Sequence, residues 1–170
     1  PVLKMDWIEG QGLDVFIGEH VVDADSMREL RRKFQVMMSR LYANGVAHGD
    51  LQHGNILISA GEIYLVDYDG FYVPELKGRF SNELGHRNYQ HPKRLDKHFG
   101  PYLDNFAAQL IDVSLICLAE DSSLWKTFDG GDECILFRRN DLSHPEASKL
   151  ISVLRGHSSA EIRNAVERLL

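Results

Sequence analysis

Two short apolar runs at residues 56–58 and 63–66, joined by turn-forming residues at 59–61, predict a β-hairpin. Asn55 stands just before the first run, and Asp67 follows the second, twelve residues later. Because one strand of a hairpin begins where the other ends, we expect these two side chains to face each other. An amide oxygen and a carboxylate, with room for water and phosphate, suit Mg²⁺. The hairpin therefore predicts a magnesium and phosphate site at its open end.

Helical periodicity accounts for much of the remaining chain. Residues 13–18 favour a short helix after a break at residues 9–12. A longer helix is expected to begin after Asp23 or Asp25 and to end at residues 44–45. Its predicted buried face consists of Met27, Leu30, Phe34, Met37 and Leu41.

Further helices are predicted after a long loop at residues 67–103, a stretch rich in Gly, Pro, His and Asn. Asp104 is expected to cap a helix that is apolar almost all round and therefore central. Two terminal helices should follow, the first opened by Pro145 and the second by a capping box of Ser158 and Glu161. The chain thus predicts a mainly α-helical domain with a small β-hairpin, α+β overall.

Composition excludes several classes of function. The net charge of −6 repels a phosphate backbone, so no nucleic-acid partner is expected. The most apolar stretch, residues 106–119, contains Gln109 and Asp112 and falls short of the ~20 residues that a membrane-spanning helix needs. Cys117 and Cys134 form no metal-binding or disulfide pattern, which favours reduced thiols and a cytoplasmic location.

The polar residues around the hairpin carry a resemblance to a known family. The run His-Gly-Asp-Leu-x-x-Gly-Asn at 48–55, followed by Val-Asp-Tyr-Asp-Gly at 66–70, resembles the catalytic loop and metal-binding turn of protein-kinase-like phosphotransferases. Residues 85–92 resemble the end of an activation segment, and residues 104–106 resemble the start of the central supporting helix. Residues 2–10 resemble the last small-lobe strand and hinge. The chain is most similar to bacterial kinase-like proteins of protein-kinase type.

The resemblance implies that residues 1–170 form the large C-terminal lobe of a protein-kinase-like fold. It divides this lobe into a strand and hinge at 1–10, a catalytic loop, hairpin and metal-binding turn at 46–70, an activation-segment-like loop at 71–92, and helical support at 104–170. No Gly-rich loop or strand lysine precedes Pro1, so the small lobe is expected in the same parent chain.

The resemblance also implies roles for single residues. Asp50 would be the catalytic base, while Asn55 and Asp67 would hold Mg²⁺ and ATP. The implied adenine-binding residues are Asp6, Trp7 and Ile8, and the implied supports of the catalytic loop are His48 and Asp104. The reaction would be γ-phosphoryl transfer to a hydroxyl of a protein serine or threonine. No membrane partner is expected.

Three positions depart from the pattern of protein kinases. Gly49 replaces the arginine that receives a phosphorylated activation loop, so we expect activity that does not depend on phosphorylation of that loop. Gln52 replaces a lysine near the transferred phosphate, and Lys93 replaces a glutamate at the end of the segment. These departures leave open a pseudokinase or partner-binding module.

Another alternative is a metal-dependent hydrolase, because His48, Asp50 and His53 supply nitrogen and oxygen donors at close spacing. The role of the loop at residues 128–134 is also open. It is either a turn with caps or a surface on the substrate side.

Overall fold

The computed structural model describes residues 7–170 and shows them as helices around a small antiparallel sheet. The helices are α1 (Leu13–His20), α2 (Ala24–Ala43), α3 (Asn105–Glu120), α4 (Ser123–Thr127), α5 (Arg139–Ser143), α6 (Lys149–Arg155) and α7 (Ala160–Leu169). The strands are β1 (Gln11–Gly12), β2 (Ile56–Ser59) and β3 (Glu62–Leu65). Short 3₁₀ turns lie at His53–Asn55, Pro74–Leu76 and Pro145–Ala147.

The predicted hairpin is present as β2 and β3, with Ile56 opposite Leu65 in the register. A third strand was not predicted: β1 pairs antiparallel with β2, where the sequence analysis placed a break. Gly10 permits this approach, because a Cβ there would lie 2.9 Å from the carbonyl oxygen of Ile58. The last small-lobe strand and hinge expected at residues 2–10 lie mostly outside the described residues, and residues 7–10 are not in a strand.

Helices α2 and α3 pack against each other and form the centre of the core. Helix α3 is buried around most of its circumference, as its apolar sequence predicts. On α2 the buried methionines are Met27, as predicted, and Met38, whereas the predicted Met37 is only partly buried. A bidentate pair between Arg31 and Asp112, at 2.8 and 3.1 Å, joins the polar edges of the two helices.

The starts of the two terminal helices differ from the predictions. Pro145 opens a 3₁₀ turn, and α6 begins later with Ser148 as its cap, whose Oγ accepts from the backbone N–H of Ile151 at 3.1 Å. Helix α7 is preceded by Ser159 and has no side-chain cap, so the predicted capping box is wrong. The hydroxyl of Ser159 instead donates to Glu120 at 2.8 Å, a tertiary contact to the end of α3.

Cys117 and Cys134 are both buried free thiols. Burial raises the pKa of Cys117 to about 12 and that of Cys134 to about 11, so both are protonated at neutral pH. Among the described residues, no helix combines the length and apolar character needed to cross a membrane.

Candidate functional site

The open end of the hairpin brings two of the candidate residues close together along the backbone. Asn55 ends the 3₁₀ turn that leads into β2, and its carbonyl oxygen accepts from the N–H of Val66 at 3.0 Å. Asp67 follows directly after Val66. Gln52 shapes the entry to this turn, because its side chain accepts from the N–H of Gly54 at 2.9 Å. The antiparallel pairing therefore continues up to the two candidate magnesium ligands.

Hydrogen bonds fix the side chains of Asn55 and Asp50. The amide nitrogen of Asn55 donates to the carbonyl oxygen of Asp50 at 2.9 Å and to its carboxylate Oδ2 at 3.2 Å. The other carboxylate oxygen of Asp50 accepts from the backbone N–H of His86 at 2.6 Å. Because the amide nitrogen of Asn55 is used on Asp50, its amide oxygen is the atom left to act as an acceptor or metal ligand.

Asp67 has an unusual backbone conformation. Its φ is 63°, in the left-handed region that residues other than glycine, asparagine and aspartate rarely adopt. Its side chain is exposed. A non-glycine residue in this region stores on the order of 1 kcal/mol of strain, and such residues concentrate at functional sites.

The negative charges of three carboxylates act on Glu83 at the hairpin's open end. The pKa of Glu83 is raised by partial burial and then by the negative charges of Asp50, Asp67 and Asp69. We call these four residues the acidic rim. Their combined negative charge creates a potential that attracts cations.

A buried carboxylate holds the loop that carries Asp50. Asp104 accepts from the backbone N–H of His48 at 2.5 Å and from that of Gly49 at 2.8 Å. Burial raises the pKa of Asp104, although these two donors oppose the shift. Asp104 occupies the N-cap position of α3, as predicted, but its side chain makes no capping hydrogen bond there.

His48 is fully buried, and both of its ring nitrogens have backbone partners. Its Nε2 donates to the carbonyl oxygen of Val66 at 2.9 Å, and its Nδ1 accepts from the N–H of Asp50 at 3.4 Å. The imidazole thereby ties the loop of Asp50 to the residue before Asp67. Its edge-to-face contact with Phe71, at 5.1 Å between ring centroids, fixes the ring further.

These contacts disfavour the hydrolase alternative, in which His48 and His53 would bind one metal ion. The Nδ1 of His53 forms a hydrogen bond of 2.7 Å with the hydroxyl of Tyr89, away from the partners of His48. Among residues 7–170, no three His, Cys, Asp or Glu side chains are close enough together to hold a metal ion.

The adenine-binding predictions concern the segment that leads into β1. Asp6 lies outside the described residues; Trp7 has a side chain that is 90% exposed, and Ile8 is half-buried. The hydroxyl of Ser59 donates to the carbonyl oxygen of Glu9 at 2.5 Å. Glu9 therefore lies beside the turn end of the hairpin, and Asn55 and Asp67 lie at the opposite end.

Comparison with known proteins supports a kinase-like assignment for the part of the chain that contains the hairpin. Residues 1–72 match the family model of the RIO domain. The RIO domain is an atypical, kinase-like protein family, and the matched residues include Asp50, Asn55 and Asp67.

One curated relative comes from Methanosarcina acetivorans and is described as "Probable bifunctional tRNA threonylcarbamoyladenosine biosynthesis protein". It is 33% identical over 66 residues, which cover 39% of this chain and 10% of that protein. The chain therefore spans about a tenth of the length of this relative.

The structure explains why residue 49 is a glycine. Its φ is 86°, and a Cβ there would overlap the carbonyl oxygen of Gly70 and lie 2.7 Å from the carbonyl carbon. Any side chain would push apart the loop of Asp50 and the turn after Asp67. The arginine of regulated kinases has no space in this backbone conformation.

Sequence analysis missed Arg94, which links the loop of Asp50 to the segment that follows the hairpin. Its Nη1 donates to the carbonyl oxygen of Gly49 at 3.0 Å and to Gln90 at 2.5 Å. Its Nη2 donates to the hydroxyl of Ser81 at 3.2 Å and to the carbonyl oxygen of Glu83 at 3.4 Å. Except for Gln90, these partners lie 11 or more positions from Arg94 along the chain, so no local sequence signal could have indicated the link.

The loop at residues 128–134 and the residue after it contact Asn88 and Tyr89, near the end of the activation-segment-like loop. The carbonyl oxygen of Glu133 accepts from the side chain of Asn88 at 2.9 Å, and the hydroxyl of Tyr89 accepts from the N–H of Ile135 at 3.0 Å. Gly130 and Gly131 lie against Trp125. The loop thus packs beneath the segment and supports its position.

Proposed function

We propose that this chain is the large lobe of a protein-kinase-like phosphotransferase and that its parent transfers the γ-phosphoryl group of Mg²⁺-ATP to a hydroxyl. The observation that carries the proposal is the open end of the hairpin, where Asn55 hydrogen bonds to Asp50 and Asp67 follows the paired strand. The kinase-like RIO match over residues 1–72 supports it, because it covers all three residues.

In this proposal Asp50 orients the acceptor hydroxyl and accepts its proton, while Asn55 and Asp67 offer an amide oxygen and a carboxylate to the metal. The bound Mg²⁺ would neutralise charge on the phosphates. The residues themselves act through positioning: Asp104 and His48 hold the loop of Asp50, and Asn55 holds its carboxylate.

The nucleotide would lie along the hairpin. Adenine would meet the backbone at residues 6–8, which precede Glu9 at the turn end, and the phosphates would reach Asn55 and Asp67. Residues 71–92 would serve as the activation-segment-like loop, and residues 104–170 as helical support. A small lobe in the same parent chain would cover ATP, and the acceptor would be a protein serine or threonine.

We also propose that activity does not require phosphorylation of the segment. Arg94 already joins the carbonyl oxygen of Gly49 to Ser81 and Glu83, with no phosphate between them. In a regulated kinase a loop phosphate provides this kind of link.

A second candidate is a module that binds nucleotide without turnover. The observation favouring it is that both carboxylate oxygens of Asp50 already accept hydrogen bonds, one from His86 and one from Asn55. Gln52, which stands in place of the expected lysine, is occupied with Gly54.

The test is an assay of the parent protein with γ-labelled ATP and a generic protein acceptor. We expect label to appear on serine or threonine in Mg²⁺ and to be absent after the metal is removed with EDTA. ATP binding without transfer would favour the second candidate. Absence of both would contradict the proposed function.

Replacing Asp67 with asparagine should separate binding from stability. We expect Mg²⁺-dependent ATP affinity, measured by calorimetry, to fall at least about tenfold because the carboxylate ligand is lost. The melting temperature should stay equal or rise, because asparagine tolerates a positive φ and the repulsion from Glu83 is removed.

Asp129→Asn is the matched control, since Asp129 is also exposed and has a φ of 51°. It should leave ATP affinity unchanged. Unchanged Mg²⁺-ATP affinity in Asp67→Asn would rule out Asp67 as a ligand.

A further inference from the structure

A groove of about 580 Å³ lies between residues 91–98 and the start of α3, outside the candidate phosphotransfer site. It is lined by three cationic side chains, Lys93, Arg94 and Lys97, and by the imidazoles of His91 and His98. The rest of its lining is largely apolar and includes Tyr102 and Phe106. We call this surface the basic groove.

The charge of the basic groove is opposite to that of the whole chain. No aspartate or glutamate lines it, whereas the complete sequence has a net charge of −6. Neither Lys93 nor Lys97 forms an ion pair with any residue in the described part of the chain. Their ammonium groups are therefore available to an anionic partner.

The apolar lining of the basic groove can contact an apolar side chain of a partner. The side chain of Tyr102 is 74% exposed, and Phe106 packs edge to face with His91 at 5.2 Å between ring centroids. Exposed aromatic surface beside a concave wall is typical of sites that bind a partner's side chain.

We infer that the basic groove binds a short acidic segment of a partner protein that carries one aromatic or aliphatic anchor. The cationic side chains of the basic groove would pair with the carboxylates of this segment, and the apolar lining would receive its aromatic or aliphatic side chain. The inference does not rest on phosphoryl transfer, since it uses no residue of the acidic rim.

The observations favour a peptide over a nucleic acid. Lys93, Arg94 and Lys97 would neutralise about three phosphates, whereas proteins that bind nucleic acid through the backbone contact roughly 6–10. A long polyanion would also extend over the rest of a surface with a net charge of −6. A short acidic segment ends within the groove and avoids that repulsion.

The test is fluorescence anisotropy with a labelled decapeptide that has one phenylalanine flanked by aspartates and glutamates. We expect saturable binding to the wild-type chain. The double variant Lys93→Glu, Lys97→Glu should bind about tenfold more weakly or worse, because like charges would then face each other. Tyr102→Ala should also weaken binding, and since Tyr102 is mostly exposed, the fold should be retained.

The matched control is the double variant Lys126→Glu, Lys149→Glu, which makes the same change in net charge at exposed lysines outside the groove. It should bind the peptide as the wild type does. Circular dichroism should show that all variants are folded.

Four outcomes would overturn the inference: no binding of the peptide, equal loss in both double variants, tighter binding of a labelled oligouridylate of the same length, or occupation of the groove by a second copy of the chain. Sedimentation of the wild type and the Lys93→Glu, Lys97→Glu variant would detect this last outcome. Because ATP binding is measured separately, failure here is distinguishable from failure of the proposed function.

Discussion

Replacing Asp50 with asparagine should lower phosphoryl transfer by the parent protein about a thousandfold while Mg²⁺-ATP affinity stays within about twofold of the wild type. The amide cannot accept the acceptor's proton, so kcat should fall while the KM for ATP changes little. We expect a modest loss of stability as well. The new amide group has only one oxygen, so its nitrogen would face a second N–H donor, from either His86 or Asn55, unless the side-chain amide of Asn55 rotates.

Asp96→Asn is a suitable control, because Asp96 is exposed and belongs to no part of the proposed site. It removes the same charge and should leave kcat unchanged. If Asp50→Asn retained full transfer, the role of Asp50 would be refuted. If it lost ATP binding together with transfer, the residue would act on the nucleotide and not on the acceptor.

Replacing Gly49 with alanine should destabilise the fold by about 3 kcal/mol or more. The new Cβ combines two costs: a left-handed φ of 86° and overlap with the backbone of Gly70. For a domain of this size, the expected drop in melting temperature is about 6–12 °C, measured by calorimetry.

Gly78→Ala isolates the first of these costs. Gly78 has a φ of 84°, but a Cβ there would meet no atom within 4 Å. Its loss should be about 1–2 kcal/mol, from backbone strain alone. Equal losses in the two variants would show that the approach of Gly70 to Gly49 contributes nothing.

Local patterns were sufficient to predict the hairpin and the pairing at its end. The turn residues and the apolar runs of β2 and β3 are contiguous in sequence, and antiparallel register then places Asn55 and Val66 side by side. The apolar circumference of α3 likewise predicted its burial. In the hairpin the interacting residues follow each other closely, and in α3 the apolar pattern lies within one helix, so sequence pattern and tertiary structure agree.

Long-range contacts explain what could not be predicted. The hydroxyl of Ser159 bonds to Glu120 and does not form a helix cap, and the carboxylate of Asp104 bonds to the loop of His48 and Gly49. Arg94 contacts Gly49 across 45 positions of sequence. For Ser159 and Asp104, a partner from another element takes the place of a local capping contact.

Residue 49 shows the same limit for backbone conformation. The sequence shows that residue 49 is a glycine where regulated kinases have an arginine. The close approach of Gly70, which explains the glycine, is visible only in the folded chain. Glu83 joined the acidic rim for a similar reason, since the segment folds back toward Asp50 and Asp67.

The location of the bound nucleotide can be measured directly by NMR with Mn²⁺-ATP, because Mn²⁺ shares the preference of Mg²⁺ for oxygen ligands and broadens nearby amide signals. The account predicts that substoichiometric Mn²⁺-ATP broadens the amides of Asp50, Asn55, Asp67, Gly70 and Glu83 first, while those of α7 stay sharp. Broadening centred on another surface, with the hairpin's open end unaffected, would contradict it.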